Sequence, residues 1–306
     1  MKVLVVLVLS LTIFGCKKHR LRPAVNNPIY SELKTKYDHY FEMAKNKAGP
    51  KGHIHPRDCD SLLWTGLYSS IKGTEVSIED YEISPGVWLR RPVAEGNCYP
   101  VESGSEVSRD MILGLMWSMN ERKQIDQVNN LIRYGEKHDW IMGDGDPFRT
   151  VLSPDMGATL YKILGNLTDI KYSQADVPMV PLSSLRDYEA HLGVLHTLLR
   201  GKVYGYVTDA QLFFLKEQAA RNPHNTLMQI AFAMYTSGDY AAAASQLLDE
   251  THWPLNRLPT NKEHCEFWLW QREMGPDWKP CEKVQEHSGA DFLFAAWLIL
   301  SKVFPV

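Results

Sequence analysis

From residue 29 onward, apolar side chains return every three or four positions in one segment after another, and Gly, Pro or Asn residues break each segment before it lengthens. That period belongs to helices burying one stripe. Tyr30, Leu33, Tyr37, Tyr40, Phe41 and Met43 share a stripe over 30–47, which Gly49 and Pro50 end. Asp60 stands as an N-cap for 60–72, where Leu63, Leu67 and Ile71 keep helical spacing up to Gly73. Ser108 opens a helix through Met111, Leu115 and Met119, and Ile125, Val128 and Ile132 mark its partner over 123–138. Further helices are expected over 155–165, from Ser183 and Ser184 to Arg200, and over 208–221, 225–237, 239–249, 262–272 and 289–303.

One stretch departs from this pattern. Alternation at Val76, Ile78 and at Val87, Leu89, with Pro85 and Gly86 between, predicts a small β-hairpin within 74–93 and a Gly-rich loop to 107. Helices joined in consecutive pairs, with little strand signal, predict an all-α fold of stacked hairpins. No repeat of about 34 or 40 residues recurs, which disfavours a regular solenoid. An (α/α) toroid, with inner helices around a funnel and a cleft built by loops at one end, ranks ahead of a right-handed α-solenoid and an irregular bundle.

Residues 1–16 are a different kind of sequence. Lys2 is followed by an apolar run of twelve, Val3 to Phe14, too short to span a membrane as a mature helix. The run and the Gly15-Cys16 pair after it resemble a bacterial lipoprotein signal peptide and its lipobox, with Phe14 bulkier than the usual residue there. The resemblance implies that 1–15 are removed, that Cys16 is acylated, and that the protein faces the extracytoplasmic side of the cell envelope with the lipid bilayer as partner. A plain signal peptide and an uncleaved apolar anchor are the alternatives. Two or more acyl chains, at about 0.8 kcal/mol per buried methylene, anchor stably. Residues 16–28, with Pro23, Asn26, Asn27 and Pro28, read as a lipidated linker below a single helical domain at 29–306.

Charge is divided in the same way. Lys17, Lys18, Arg20 and Arg22 sit beside the lipid site, where anionic head groups attract them. The 33 basic residues less these four and Lys2 leave 28 against 36 acidic ones, so 23–306 carry −8 with His neutral. A nucleic-acid partner needs a basic face, and none is visible. Beyond Cys16 the cysteines are Cys59, Cys98, Cys265 and Cys281, an even number suited to disulfides in an exported chain. Of three connectivities, Cys59 with Cys98 and Cys265 with Cys281 join nearest neighbours. A zinc site would lack any C-x-x-C pair.

Nine Trp and fourteen Tyr supply flat rings with a polar edge, which suit a sugar cleft as well as a core. His53-Ile54-His55-Pro56-Arg57-Asp58-Cys59-Asp60 is the densest polar cluster. Its two His fall on one face of an extended segment, but the spacing matches no closed ligand set, so no metal and no cofactor is assigned. If Asp60 caps the helix, Asp58 has no capping duty. Asp110 follows Arg109 at the next helix start, where the dipole favours it. Asp144 and Asp146 lack the full calcium-loop pattern and read as a turn. Glu263-His264-Cys265-Glu266 forms another polar group. His287, Ser288 and Asp291 suggest a hydrolase triad, yet neither G-x-S-x-G nor alternating strands and helices surround Ser288, which reads as a cap.

Asp58-Cys59-Asp60-Ser61-Leu62-Leu63-Trp64-Thr65-Gly66-Leu67 and Ser108-Arg109-Asp110-Met111-Ile112-Leu113-Gly114-Leu115-Met116-Trp117 resemble the acid-led inner helices of six-hairpin glycosidases and related polysaccharide lyases. The resemblance covers about a third of the chain. It implies a glycan cleft with Asp58, Asp60 and Asp110 as acid/base residues and Trp64, Trp88, Arg109 and His55 as substrate contacts. Hydrolase and lyase stay open, as does a non-catalytic lipoprotein that binds a glycan or a partner protein.

Overall fold

In the computed structural model the described residues are 17–48, 51–99, 105–143, 149–176, 188–223, 225–251, 253–256 and 289–304. Ten α-helices occur among them, with only two-stranded sheets beside them, so the fold is all-α. They are α1 (Ile29–Ala48), α2 (Ser61–Ser69), α3 (Arg109–Arg122), α4 (Ile125–Lys137), α5 (Pro154–Thr168), α6 (Tyr188–Tyr204), α7 (Asp209–Arg221), α8 (Thr226–Tyr235), α9 (Ala241–Leu248) and α10 (Ala290–Val303). The expected helix at 262–272 and the Ser183-Ser184 start lie outside the described residues. Ser288 does too, and Gly289, at φ 69°, takes the N-cap position of α10.

Five helices pack in a closed circuit: α2 on α3, α3 on α6, α6 on α8, α8 on α10, and α10 back on α2. Every residue of α2 is buried, as are ten of the first eleven of α10, all but Trp297. A helix apolar on all sides belongs inside. The others flank the circuit, and α4 shows the contrast, burying Val128, Leu131, Ile132, Tyr134 and Gly135 on one face.

Contact between α2 and α3 is closest at two glycines. A Cβ on Gly66 would stand 2.5 Å from the carbonyl carbon of Gly114, and one on Gly114 would stand 2.8 Å from the Leu63 oxygen. Further along, the Ser69 and Ser118 hydroxyls meet at 2.7 Å, and the Arg122 guanidinium donates to the Ser69 carbonyl at 2.8 Å. Both helices therefore run the same way, and because each glycine is the sixth residue of its helix, their N-termini lie level.

A third and a fourth helix share this direction. Trp117 of α3 donates to the Leu195 carbonyl at 3.4 Å and meets Phe294 and Trp297 edge-on, while one turn later Glu121 pairs with Lys202 at 2.9 Å. Lys302 reaches the same place: burial lowers its ammonium, Lys202 lowers it further, and Glu121 opposes both. So α3, α6 and α10 are parallel around one seam.

The segment between α2 and α3 does contain a hairpin, shifted from its expected position. Strands β2 (Glu82–Ser84) and β3 (Val87–Trp88) pair as Glu82 with Trp88 and Ser84 with Val87. Ile78 instead sits in a 3-10 turn (Ile78–Tyr81), where Tyr81 is buried and its hydroxyl meets Ser61 and Thr65 of α2. Two further pairs, β4 (Ile141–Gly143) with β5 (Thr150–Val151) and β1 (Lys18–His19) with β6 (Val207–Thr208), escape sequence reading because two or three residues carry no period. The β1 pairing ties the stretch read as a linker to the folded body. Residues 17–28 lie docked: Arg22 N–H donates to Met234 O at 2.9 Å and Val25 N–H to Gly238 O at 3.0 Å.

Gly66→Ala tests the glycine contact. Alanine favours a helix by up to about 1 kcal/mol over glycine, but backbone that cannot move away makes overpacking cost about 1–3 kcal/mol. A lower urea midpoint at unchanged slope is expected; a raised midpoint would show that the helices do not approach this closely.

Candidate functional site

The level N-termini of α2 and α3 bring the two acid-led segments to one end of the molecule. Within the first, the expected duties of the two acids are reversed. The Asp58 carboxylate accepts from Asp60 N–H at 2.8 Å, and its carbonyl from Ser61 N–H at 3.1 Å, so Asp58 closes the turn into α2. Asp60 occupies the N-cap position without a side-chain capping bond, and its Oδ1 stands 3.7 Å from Arg90 Nη1.

Arg90 ties that turn to the next one. Its Nε donates to Glu106 O at 2.8 Å, its Nη1 to Cys59 O at 3.4 Å, and its guanidinium covers the Tyr99 ring at 5.0 Å. Buried Glu106 accepts from Cys98, Tyr99 and Arg90 amides, so its charge is spent on backbone. A disulfide joins Cys59 to Cys98 with Cα atoms 5.8 Å apart, as the nearest-neighbour pairing anticipates. Cys16, Cys265, Cys281, Asp144, Asp146, Glu263, His287 and Ser288 lie outside the described residues.

Two expected substrate contacts need correction, and so does the alignment of the two histidines. Trp64 is 2% exposed and Trp88 0%, both packed in the core, so neither ring offers a sugar platform. An aromatic beside an acid in sequence says nothing about which face it occupies, and α2 has no exposed face. His55 adopts φ 46°, which breaks the extended segment that would align it with His53. Burial lowers the His55 imidazole and Lys47 lowers it further, against Asp58. His53 turns instead to Ser77 O and Asp80 Oδ2, both at 3.1 Å. Arg109 is partly buried at the start of α3.

Asp110 is 1% exposed, and Ser108, expected as a cap, donates its hydroxyl to the Asp110 carboxylate instead. Two residues that sequence reading did not place with it share its depth. Asp110 precedes Glu121, His191 precedes Lys202, and Asp291 precedes Lys302 by the same eleven residues. Eleven residues make about three helical turns, roughly 16 Å. Since Glu121, Lys202 and Lys302 gather at one seam of parallel helices, Asp110, His191 and Asp291 project toward that same seam three turns nearer the N-termini. All three are buried. Between the two levels lie Trp117 and Phe294, edge to face at 5.2 Å. Among the described residues no three His, Cys, Asp or Glu side chains stand close enough to hold a metal ion, so the trio shares a level without forming a ligand cage. The signal for finding them was the repeated eleven-residue spacing from an ionisable residue in the first turn of each helix to a charged one near its end.

A second buried array lies between α5 and α6. His196 meets Thr159 Oγ1 at 3.0 Å through Nε2 and Asp155 Oδ2 at 3.6 Å through Nδ1. The order is that of a nucleophile, base and acid. Thr159 donates its hydroxyl proton to the Asp155 carbonyl at 2.8 Å, away from His196, so the imidazole is not set to take that proton and the array is structural.

Comparison with known proteins returned no match: no family model, curated sequence or solved structure is similar to the chain. Among the described residues no helix is long and apolar enough to cross a membrane.

Burial pushes the His196 imidazole down to about 4, with Asp155 opposing and Arg200 assisting. Between its ordinary 6.5 and about 4 the unfolded chain takes up a proton that the folded chain refuses, so stability falls as pH drops through that window. At about 1.4 kcal/mol per pH unit the loss is on the order of 3 kcal/mol at most. Urea midpoints at pH 7 and pH 4.5 should show it, and His196→Gln should shrink the difference; an unchanged difference would assign the acid sensitivity to other groups.

Proposed function

We propose that this chain is a bacterial envelope lipoprotein, held by acyl chains on Cys16, whose end formed by the N-termini of α2, α3, α6 and α10 acts on a glycan. The observation that carries the reading is the shared level of buried Asp110, His191 and Asp291 on three parallel helices. The closed circuit of five helices supports the finer (α/α) toroid architecture, in which that end is the mouth of a funnel. Carboxyl groups on facing helices can divide glycosidic cleavage between them: one donates a proton to the bridging oxygen, and the other activates water, attacks the sugar carbon or removes a proton. Asp110 and Asp291 are the pair favoured for this work, with His191 beside them. Asp58, Asp60 and Arg109 stand at the rim as substrate contacts.

The residues at 17–28 dock where α6 and α8 end, opposite the Asp110 level. Anchoring through Cys16 therefore turns the mouth away from the bilayer. The second reading, a lipoprotein that binds a glycan or partner protein without chemistry, is favoured by the engagement of Asp58 and Glu106 with backbone amides. Neither reading calls for nucleic acid.

Two experiments test these readings. Cys16→Ser should abolish palmitate labelling and release the protein from membranes; labelling that persists excludes acylation at Cys16. Asp110→Asn and Asp291→Asn should each lower glycan cleavage by roughly 10²- to 10⁴-fold with the fold intact, read as new reducing ends or as ultraviolet absorbance of an unsaturated lyase product. Asp58→Asn should cost about 1 kcal/mol of stability and little turnover, by analogy with loss of a cap. Retained glycan affinity without cleavage in the unaltered protein would select the binding reading.

A further inference from the structure

We propose that a cleft between α5, α6 and the start of α7 binds a phosphoryl anion, supplied at the membrane by the head group of an anionic phospholipid. The cleft encloses about 940 Å³, within the range of small-molecule sites. Lys162, Lys171 and Arg200 line it against one acid, Asp169, and tyrosine rings form much of the wall. A fourth cation borders it from the docked N-terminal segment: Lys18 Nζ lies 4.3 Å from the centre of the Tyr206 ring, and Lys18 pairs in β1 with Thr208, which also lines the cleft.

Besides Asp169, two carboxylates bordering the cleft are already engaged. Glu136 accepts from the Tyr161 hydroxyl, and Asp209 accepts from the Lys17 N–H and meets His19 at 2.6 Å. Among the described residues neither Lys162 nor Lys171 has a carboxylate within ion-pair distance. Arg200 is held in place, its guanidinium 4.2 Å from the centre of the Tyr204 ring and 3.3 Å from Thr159 Oγ1. Lysines act on phosphate as point charges from any direction, so two such ammonium groups beside a fixed guanidinium suit a tetrahedral anion. Lys18 stands two residues after Cys16, which places the cleft beside the chain's exit toward the bilayer. The lipid source rests on the anchoring proposed above; the phosphoryl chemistry does not.

The test titrates the full chain, purified in an uncharged detergent, with dihexanoyl phosphatidylglycerol, dihexanoyl phosphatidylcholine and inorganic phosphate, read by calorimetry. Saturable phosphatidylglycerol binding is expected, at least tenfold weaker in Lys162→Gln/Lys171→Gln and weaker in high salt. Phosphate that binds equally tightly and competes would keep the phosphoryl site and overturn the lipid source. Equal affinity for phosphatidylcholine, an unaffected double variant, or no binding at all would overturn the proposal. An unchanged melting temperature shows that the variant folds, and Lys171→Gln alone, at an exposed side chain, repeats the test if the double variant melts early. Cys16→Ser should leave the affinity in place, so a failure of anchoring and a failure of this site give different results.

Discussion

The backbone contact of Gly66 with Gly114 sets the geometry that the rest of the chain must accommodate. Helices usually pack 8–10 Å apart, held off by their side chains; here two carbonyl groups occupy the space where Cβ atoms would stand. Because α2 and α3 run the same way, the chain between them must return along the length of α2 before α3 can begin. In this protein the return is irregular. It is fastened by Tyr81 on Ser61 and Thr65, by Arg122 on the Thr74 carbonyl, by Glu106 on three amides, and by the disulfide. The hydrogen-bonded fastenings give buried polar groups of the irregular segment the partners that regular secondary structure would otherwise supply.

Parallel direction also decides where ionisable residues can be buried. Helices that share a direction put their N-termini together, where unpaired amides favour negative charge. Asp110 and Asp291 are each the second residue of a helix, so burial there costs less than it would at mid-helix. At the opposite end the same seam holds Lys202 and Lys302 around Glu121, the sign the helix C-termini favour. Trp117, Trp297 and Phe294 fill the space between, with Lys202 Nζ 5.1 Å from the centre of the Trp297 ring. The circuit is thus polarised, acidic at one end and basic at the other.

Most of this fold is legible in the sequence, and the failures have physical reasons. Periodicity places the described helices within a few residues, since each stripe of Leu, Ile, Tyr and Met repeats at 3.6. The shared Leu, Gly, Trp texture of 62–67 and 112–117 is also legible, and it now has a packing cause, the glycine contact. Trp64 and Trp88 mislead because burial is set by what packs around a helix or strand, not by charge nearby in sequence. Asp58 rather than Asp60 accepts the amide at the entry to α2, because the backbone turns at 55–58 in a way that a single sequence does not announce. His191 and Asp291 go unplaced because their common level depends on the directions of three helices far apart in the chain.

The docking of residues 17–28 joins these features into one orientation. A free spacer would let the folded part rotate, whereas β1 paired with β6, and Arg22 and Val25 bonded to the chain around 234–238, fix the path from residue 17 onto the body. That path ends at the lysine-rich end of the circuit and beside the cationic cleft. Under the proposed anchoring, Lys17, Lys18, Arg20 and Arg22 meet the negative surface of the bilayer while the −8 charge of 23–306 is repelled from it. Both forces turn the same end outward. Under that anchoring the acids at the heads of α3 and α10 point away from the bilayer, while Lys17, Lys18, Arg20 and Arg22 face it.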